Sequence, residues 1–168
     1  TYSIVVGDLA GNPGVAVTTG TGSVTFDDTD PARTSVIIAS NNSLVTHAKS
    51  GNVVTVELTT DVAVSQPVVV FKSGGAALNN ASGRVITYTN TNSPHTTEWS
   101  AAYTVDAADT DGLVSFDIDF SDLAGNAATT VTSVTDTSSV VVDTTAPTLT
   151  SVSIASDFDA DNTQASIN

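Results

Sequence analysis

Val114-Ser115-Phe116-Asp117-Ile118-Asp119-Phe120-Ser121-Asp122-Leu123-Ala124-Gly125-Asn126 begins as an alternation of large apolar and polar residues and ends in a cluster of turn formers. Successive side chains on a strand point to opposite faces. Val114, Phe116, Ile118 and Phe120 therefore share one face, which needs burial, and the intervening polar residues share the other. Trp99, Ala101, Tyr103 and Val105 repeat the pattern, and the two apolar faces are expected to meet in a core. Thr and Val dominate the rest, and no window of a dozen residues has the apolar spacing of an amphipathic helix. Further strands are expected at 34–39, 52–60, 67–72, 83–89, 128–134 and 139–143, separated by Gly, Asn, Asp, Ser and Pro. Short strands at this spacing predict an all-β sandwich.

The turn that closes the opening stretch occurs twice. Asp8-Leu9-Ala10-Gly11-Asn12 returns as Asp122-Leu123-Ala124-Gly125-Asn126, an offset of 114. Ser23-Val24, Asp27 and Pro31 return as Ser139-Val140, Asp143 and Pro147, and Thr34–Ser40 returns as Thr150–Ser156, at an offset of 116. A period near 115 residues is too long for a solenoid and suits tandem β-sandwich modules. The expected organisation is the last strands of one module at 1–30, a complete module at 31–146, and the first strand or two of the next at 147–168. The incomplete ends expose pairing edges, so each end is expected to be docked, disordered, or completed by a strand from another chain.

Asp111-Gly112-Leu113-Val114-Ser115-Phe116-Asp117-Ile118, Ser121–Asn126 and Val142-Asp143-Thr144-Thr145-Ala146-Pro147, followed by Thr150-Ser151-Val152, resemble the tandem bacterial immunoglobulin-like repeats of very large secreted surface proteins and RTX-type adhesins. The similarity covers nearly the whole chain. It implies an immunoglobulin-like sandwich of about seven strands, secretion to the cell surface, and a stalk module, often stiffened by calcium. The first copy departs from the pattern: Asp27-Asp28-Thr29-Asp30-Pro31 stands where the second has Asp143-Thr144-Thr145-Ala146-Pro147, so the two junctions need not treat calcium alike.

Composition narrows the partners. The 168 residues carry 18 acidic and 4 basic side chains, a formal charge of −14, which repels phosphate backbones and anionic lipid. Nucleic acid is thus not an expected partner. No stretch approaches the ~20 apolar residues of a membrane span, so no direct membrane insertion is expected. Without Cys there are no disulfides, thiolate metal sites or Cys nucleophiles. The expected partners are neighbouring modules of the same chain and other copies of it.

Acidic residues gather in loops: Asp27, Asp28 and Asp30; Asp106, Asp109 and Asp111; Asp157, Asp159 and Asp161. Calcium takes six to eight oxygen ligands, and closely spaced carboxylates supply them. None of these loops is an EF-hand; counting from Asp157, Asn162 and Asn168 occupy the positions of its Gly and Glu. In an immunoglobulin-like sandwich the turn Asp122–Asn126 lies at the pole where Asp27, Asp28 and Asp30 enter. Asp109 and Asp111 lie near Asp143 at the other pole, so both groups are candidate calcium sites at module junctions. For Asp-Leu-Ala-Gly-Asn alone the simpler reading is an Asx turn, with Gly-Asn supplying positive φ.

Catalytic signals are weak. The two Glu, Glu57 and Glu98, are not paired by anything in the sequence as the acid and nucleophile of a glycosidase. His47 and His95 stand in polar stretches, and Gly-x-Ser-x-Gly, zinc spacings and a P-loop are absent. Trp99 and Tyr103 share parity with Ala101 and Val105, which favours the core over a sugar-stacking platform. Thr87, Thr89 and Thr91 read as the solvated face of an edge strand rather than an ice-binding array. The expectation is a non-catalytic, calcium-stiffened extender of a surface adhesin. The alternatives are a carbohydrate-binding immunoglobulin-like module and a subunit that forms filaments by strand exchange.

Overall fold

Alternating β-branched and aromatic residues form the ladders that their spacing predicts. The structure, a computed structural model, describes residues 3–16, 18, 20, 24–78, 84–90 and 96–153. Among these every regular element is a strand: β1 (Arg33–Ser40), β2 (His47–Ala48), β3 (Val53–Val64), β4 (Val68–Ser73), β5 (Ala76–Ala77), β6 (Thr87–Asn90), β7 (Thr96–Thr104), β8 (Gly112–Asp119) and β9 (Val141–Val142). One sheet has the order β1-β3-β7-β6 and the other β2-β9-β8-β4-β5. Setting aside β2 and β5, the remaining seven fall into the ABED and GFC sheets of an immunoglobulin-like sandwich. β2 pairs parallel with β9, and the other strand pairs are antiparallel.

The core is the sum of the inward parities. Val36 and Ile38 of β1, Val54, Val56 and Leu58 of β3, and Trp99, Ala101 and Tyr103 of β7 face Val69 and Phe71 of β4 and Val114, Phe116 and Ile118 of β8. Phe71 and Tyr103 join the two sheets through tilted rings with centroids 4.8 Å apart, a favourable edge-directed geometry. Trp99 and Tyr103 are buried as expected, and Thr87 and Thr89 are exposed on edge strand β6. Thr91 lies outside the described residues.

Two expected strands differ. The stretch 128–134 forms only one bridge, Val131 with Ile118, and 139–143 contracts to β9. The cause lies in the hydroxyls between them. The Thr135 amide donates to the Val36 carbonyl, and Thr135 Oγ1 and Ser138 Oγ accept the amides of Val36 and Ile38. Side chains thereby satisfy the free edge of β1 where a regular strand would have done so, and the edge is protected from foreign pairing. The expected strand at 83–89 begins only at Thr87, and Gly83 lies outside the described residues.

At the start of β8 the backbone of Gly112 crosses that of Gly74: a Cβ on Gly112 would lie 2.8 Å from Gly74 Cα, and both residues have positive φ, 138° and 57°. This close approach needs glycine on both sides, and it sets the loop that carries Asp111.

Candidate functional site

The chain enters and leaves the sandwich at opposite ends of β8. At the exit pole Asp111, the residue before β8, accepts the Thr144 amide at 2.7 Å and the Thr144 hydroxyl at 2.8 Å through Oδ1, and the Thr145 hydroxyl at 2.7 Å through Oδ2. Asp143 Oδ1 accepts the Thr145 amide, and the Asp143 amide is tied to the Ala48 carbonyl. The Thr144 amide, then the two hydroxyls, hold the Asp111 carboxyl below the usual aspartate value, because each favours the charged form.

At the entry pole the turn after β8 is locked from within. Asp122 Oδ1 accepts the amides of Gly125 and Asn126, and Oδ2 accepts Asn126 Nδ2. Burial pushes the Asp122 carboxyl up, but the Asn126 side chain and the loop amides outweigh it and hold it below its usual value. Gly125 has the positive φ of 99° expected of it, whereas Asn126 does not have positive φ. The role of Asn126 is instead its side chain, which also donates from Nδ2 to the Asp27 carbonyl at 3.1 Å. Asp27 in turn accepts the Thr29 amide through Oδ1.

The first copy of the motif makes the same turn. Asn12 donates its amide to Asp8 Oδ1 and Nδ2 to Oδ2, Gly11 has φ 85°, and the Gly14 amide donates to the Val6 carbonyl as the Ala128 amide does to Phe120. The Asn12 side chain leads the donors that hold the Asp8 carboxyl below its usual value. The surroundings differ. Ile4 and Val6, the counterparts of buried Ile118 and Phe120, are 57% and 66% exposed.

Asp109, between Asp106 and Asp111, turns into the protein. Its side chain is wholly buried, and Oδ1 accepts Arg84 Nη1 at 2.9 Å. Oδ2 accepts the Asp106 amide. The Arg84 guanidinium also lies 5.6 Å over the Tyr103 ring. Burial, and then the Asp109 charge, push the Tyr103 hydroxyl far above its ordinary value. This ion pair was not legible in the sequence, where the two residues stand 25 positions apart with no periodic relation.

The candidate calcium ligands therefore meet different fates. Asp109 is paired with Arg84, Asp111 accepts from Thr144 and Thr145, and Asp122 accepts from Gly125 and Asn126. Asp27, Asp28 and Asp30 are exposed on the entry linker, and Asp143 is exposed on the exit linker. Asp157, Asp159 and Asp161 lie outside the described residues. No group of three acidic or His side chains poised around a common point occurs among the described residues.

Elsewhere the sheet brings together the two Glu that the sequence left apart. Glu57 opposes Ser100 and Glu98 opposes Thr59 in the β3–β7 ladder, so both carboxylates stand on one outer face. That face carries a groove of about 290 Å³ lined also by Thr89 and Trp99. Trp99 is only 7% exposed, so it offers no stacking surface for a sugar. His47 is exposed with Nδ1 3.0 Å from the Thr46 hydroxyl, and His95 lies outside the described residues.

No protein-family model, curated protein or solved structure matches the chain. Function has to be read from these residues and their placement.

Proposed function

We propose that this chain is a non-catalytic extender unit from a tandem array in a secreted bacterial cell-surface adhesin. The observation that carries this reading is the placement of the linkers: the entering one touches Asn126 beyond the end of β8, and the leaving one touches Asp111 before its start. Eight residues of strand separate these points, about 27 Å at ~3.4 Å per residue. Modules joined in this way extend end to end. Supporting it, the repeated hairpin at 3–16 exposes the side chains that its counterpart buries, as the end of a preceding module would do without its partner sheet. The charge of −14 keeps neighbouring stalks soluble and apart. Calcium, in this reading, acts on the entry linker, where Asp27, Asp28 and Asp30 stand exposed.

Small-angle scattering from chains of two, three and four consecutive modules tests the reading. The maximum dimension should grow by about 30–40 Å per added module. A dimension that stops growing means that the modules fold back, and the extender reading fails. Specific capture by a glycan array would favour the carbohydrate-binding alternative.

A further inference from the structure

The repeat allows both poles to be read as two sides of one joint. Asp27 and Asp143 occupy the same place in successive copies, and each accepts the amide two residues on, Thr29 at 3.1 Å and Thr145 at 3.0 Å. The two linkers therefore begin with the same turn, and what grips one informs the other. On the leaving linker the module behind holds the two residues after the leading Asp, through Asp111. On the entering linker the module ahead holds the carbonyl of the leading Asp itself, through Asn126.

We propose that Asp111 and Asn126 are the two jaws of a metal-independent clamp that fixes the direction of one module relative to the next. In a continuous array one linker would sit in both jaws at once. Its leading Asp would be held by the Asn126 counterpart of the module ahead, and the next two residues by the Asp111 of the module behind. No residue is left between the two grips to act as a hinge, and free rotation about the linker is lost without an ion. The proposal rests on the extender reading and deepens it by naming what stiffens the joint.

Each jaw is itself held. Asp111 precedes Gly112, which the crossing with Gly74 locks in place. Asn126 is fixed by the second hydrogen bond of Nδ2, to Asp122 Oδ2 at 2.8 Å. The clamp also explains the wording of the linker. Thr144 and Thr145 supply hydroxyls that a carboxylate can accept, and an Asp at 144 would set two like charges against each other. Asp28 stands at that place in the entering linker. A jaw of the Asp111 type there would meet a carboxylate, and that joint is the one that calcium would have to close.

Amide exchange and heteronuclear NOE measured on the ¹⁵N-labelled 168-residue chain in EDTA test the clamp. The wild-type Thr144 amide should be protected, with an NOE like that of β8. Asp111→Ala should speed its exchange by about tenfold or more, while Ile118 and Val56 stay protected and report an intact core. Thr144→Ser should retain the protection, and Thr144→Asp should lose it. Asn126→Ala should loosen Thr29 and leave Thr144 unchanged. The clamp is overturned if Thr144 is unprotected in EDTA and becomes ordered only with calcium, or if Asp111→Ala leaves it protected. The scattering series separates this from the extender reading: extended modules with an unprotected Thr144 sink the clamp alone, and folded-back modules with a protected Thr144 sink the extender alone.

Discussion

Arg84→Met should be among the costliest single changes outside the apolar core. The Asp109 side chain is completely buried and that of Arg84 is 9% exposed, with Nη1 2.9 Å from Oδ1. Methionine keeps most of the unbranched stem that packs there and removes the charge. The carboxylate is left in a water-poor site without its counter-ion, a loss that costs about 3–5 kcal/mol. The guanidinium over Tyr103 adds roughly 0.5–1 kcal/mol. For a module of this size about 4 kcal/mol lowers the melting midpoint by roughly 12–20 °C. Urea unfolding monitored by Trp99 fluorescence gives the free energy, and an unchanged m-value would show that the unfolded states are comparable. The second arm of the test is Arg84→Met combined with Asp109→Asn, which keeps an acceptor for the Asp106 amide and removes the stranded charge. It should recover at least half of the loss, because the penalty belongs to the unpaired charge rather than to the missing guanidinium. A single variant within about 1 kcal/mol of wild type, or a double variant no better than the single, would show that the buried carboxylate does not need its counter-ion.

Three further outcomes are expected. The carboxyls of Asp8, Asp111, Asp122 and Asp136 are held below their ordinary value of 3.8 when folded. Their contribution is therefore present above that pH and lost as the pH falls through the lower folded values, so melting midpoints should hold from pH 7 to about 4 and drop below that, and Asp122→Asn should flatten the drop. Gly74→Ala places a Cβ against the Asp111 carbonyl at a φ of 57°, whereas Gly75→Ala at 79° meets open space. The first should cost about 3 kcal/mol or more and the second about 1 kcal/mol, and equal costs in urea melts would contradict the crossing. Calcium titrated into the labelled chain at high monovalent salt should shift the amides of Asp28, Thr29 and Asp30 to saturation and leave Thr144 in place, since specific coordination survives screening. Shifts that vanish with salt would remove calcium from the entry linker.

Features that depend on near neighbours could be read directly from the residues. The parity of Val114, Phe116, Ile118 and Phe120 decides which face is buried, because the pleat alternates regardless of partner. Asp122 to Asn126 forms its turn from donors within four residues, so both copies could be read and both fold alike. The stretch 128–138 shows the limit: its Thr and Val suit a pleated surface, yet hydroxyls at Thr135 and Ser138 take the place of a ladder because the edge of β1 lies alongside. Packing of the two sheets pairs Arg84 with Asp109, Asp111 with Thr144 and Thr145, and Asn126 with Asp27, across separations of 25, 33, 34 and 99 residues. Acidic loops advertise charge but not its partner. Side-chain partners at the poles are chosen by which loops the two sheets bring together, and strand periodicity carries no record of that choice.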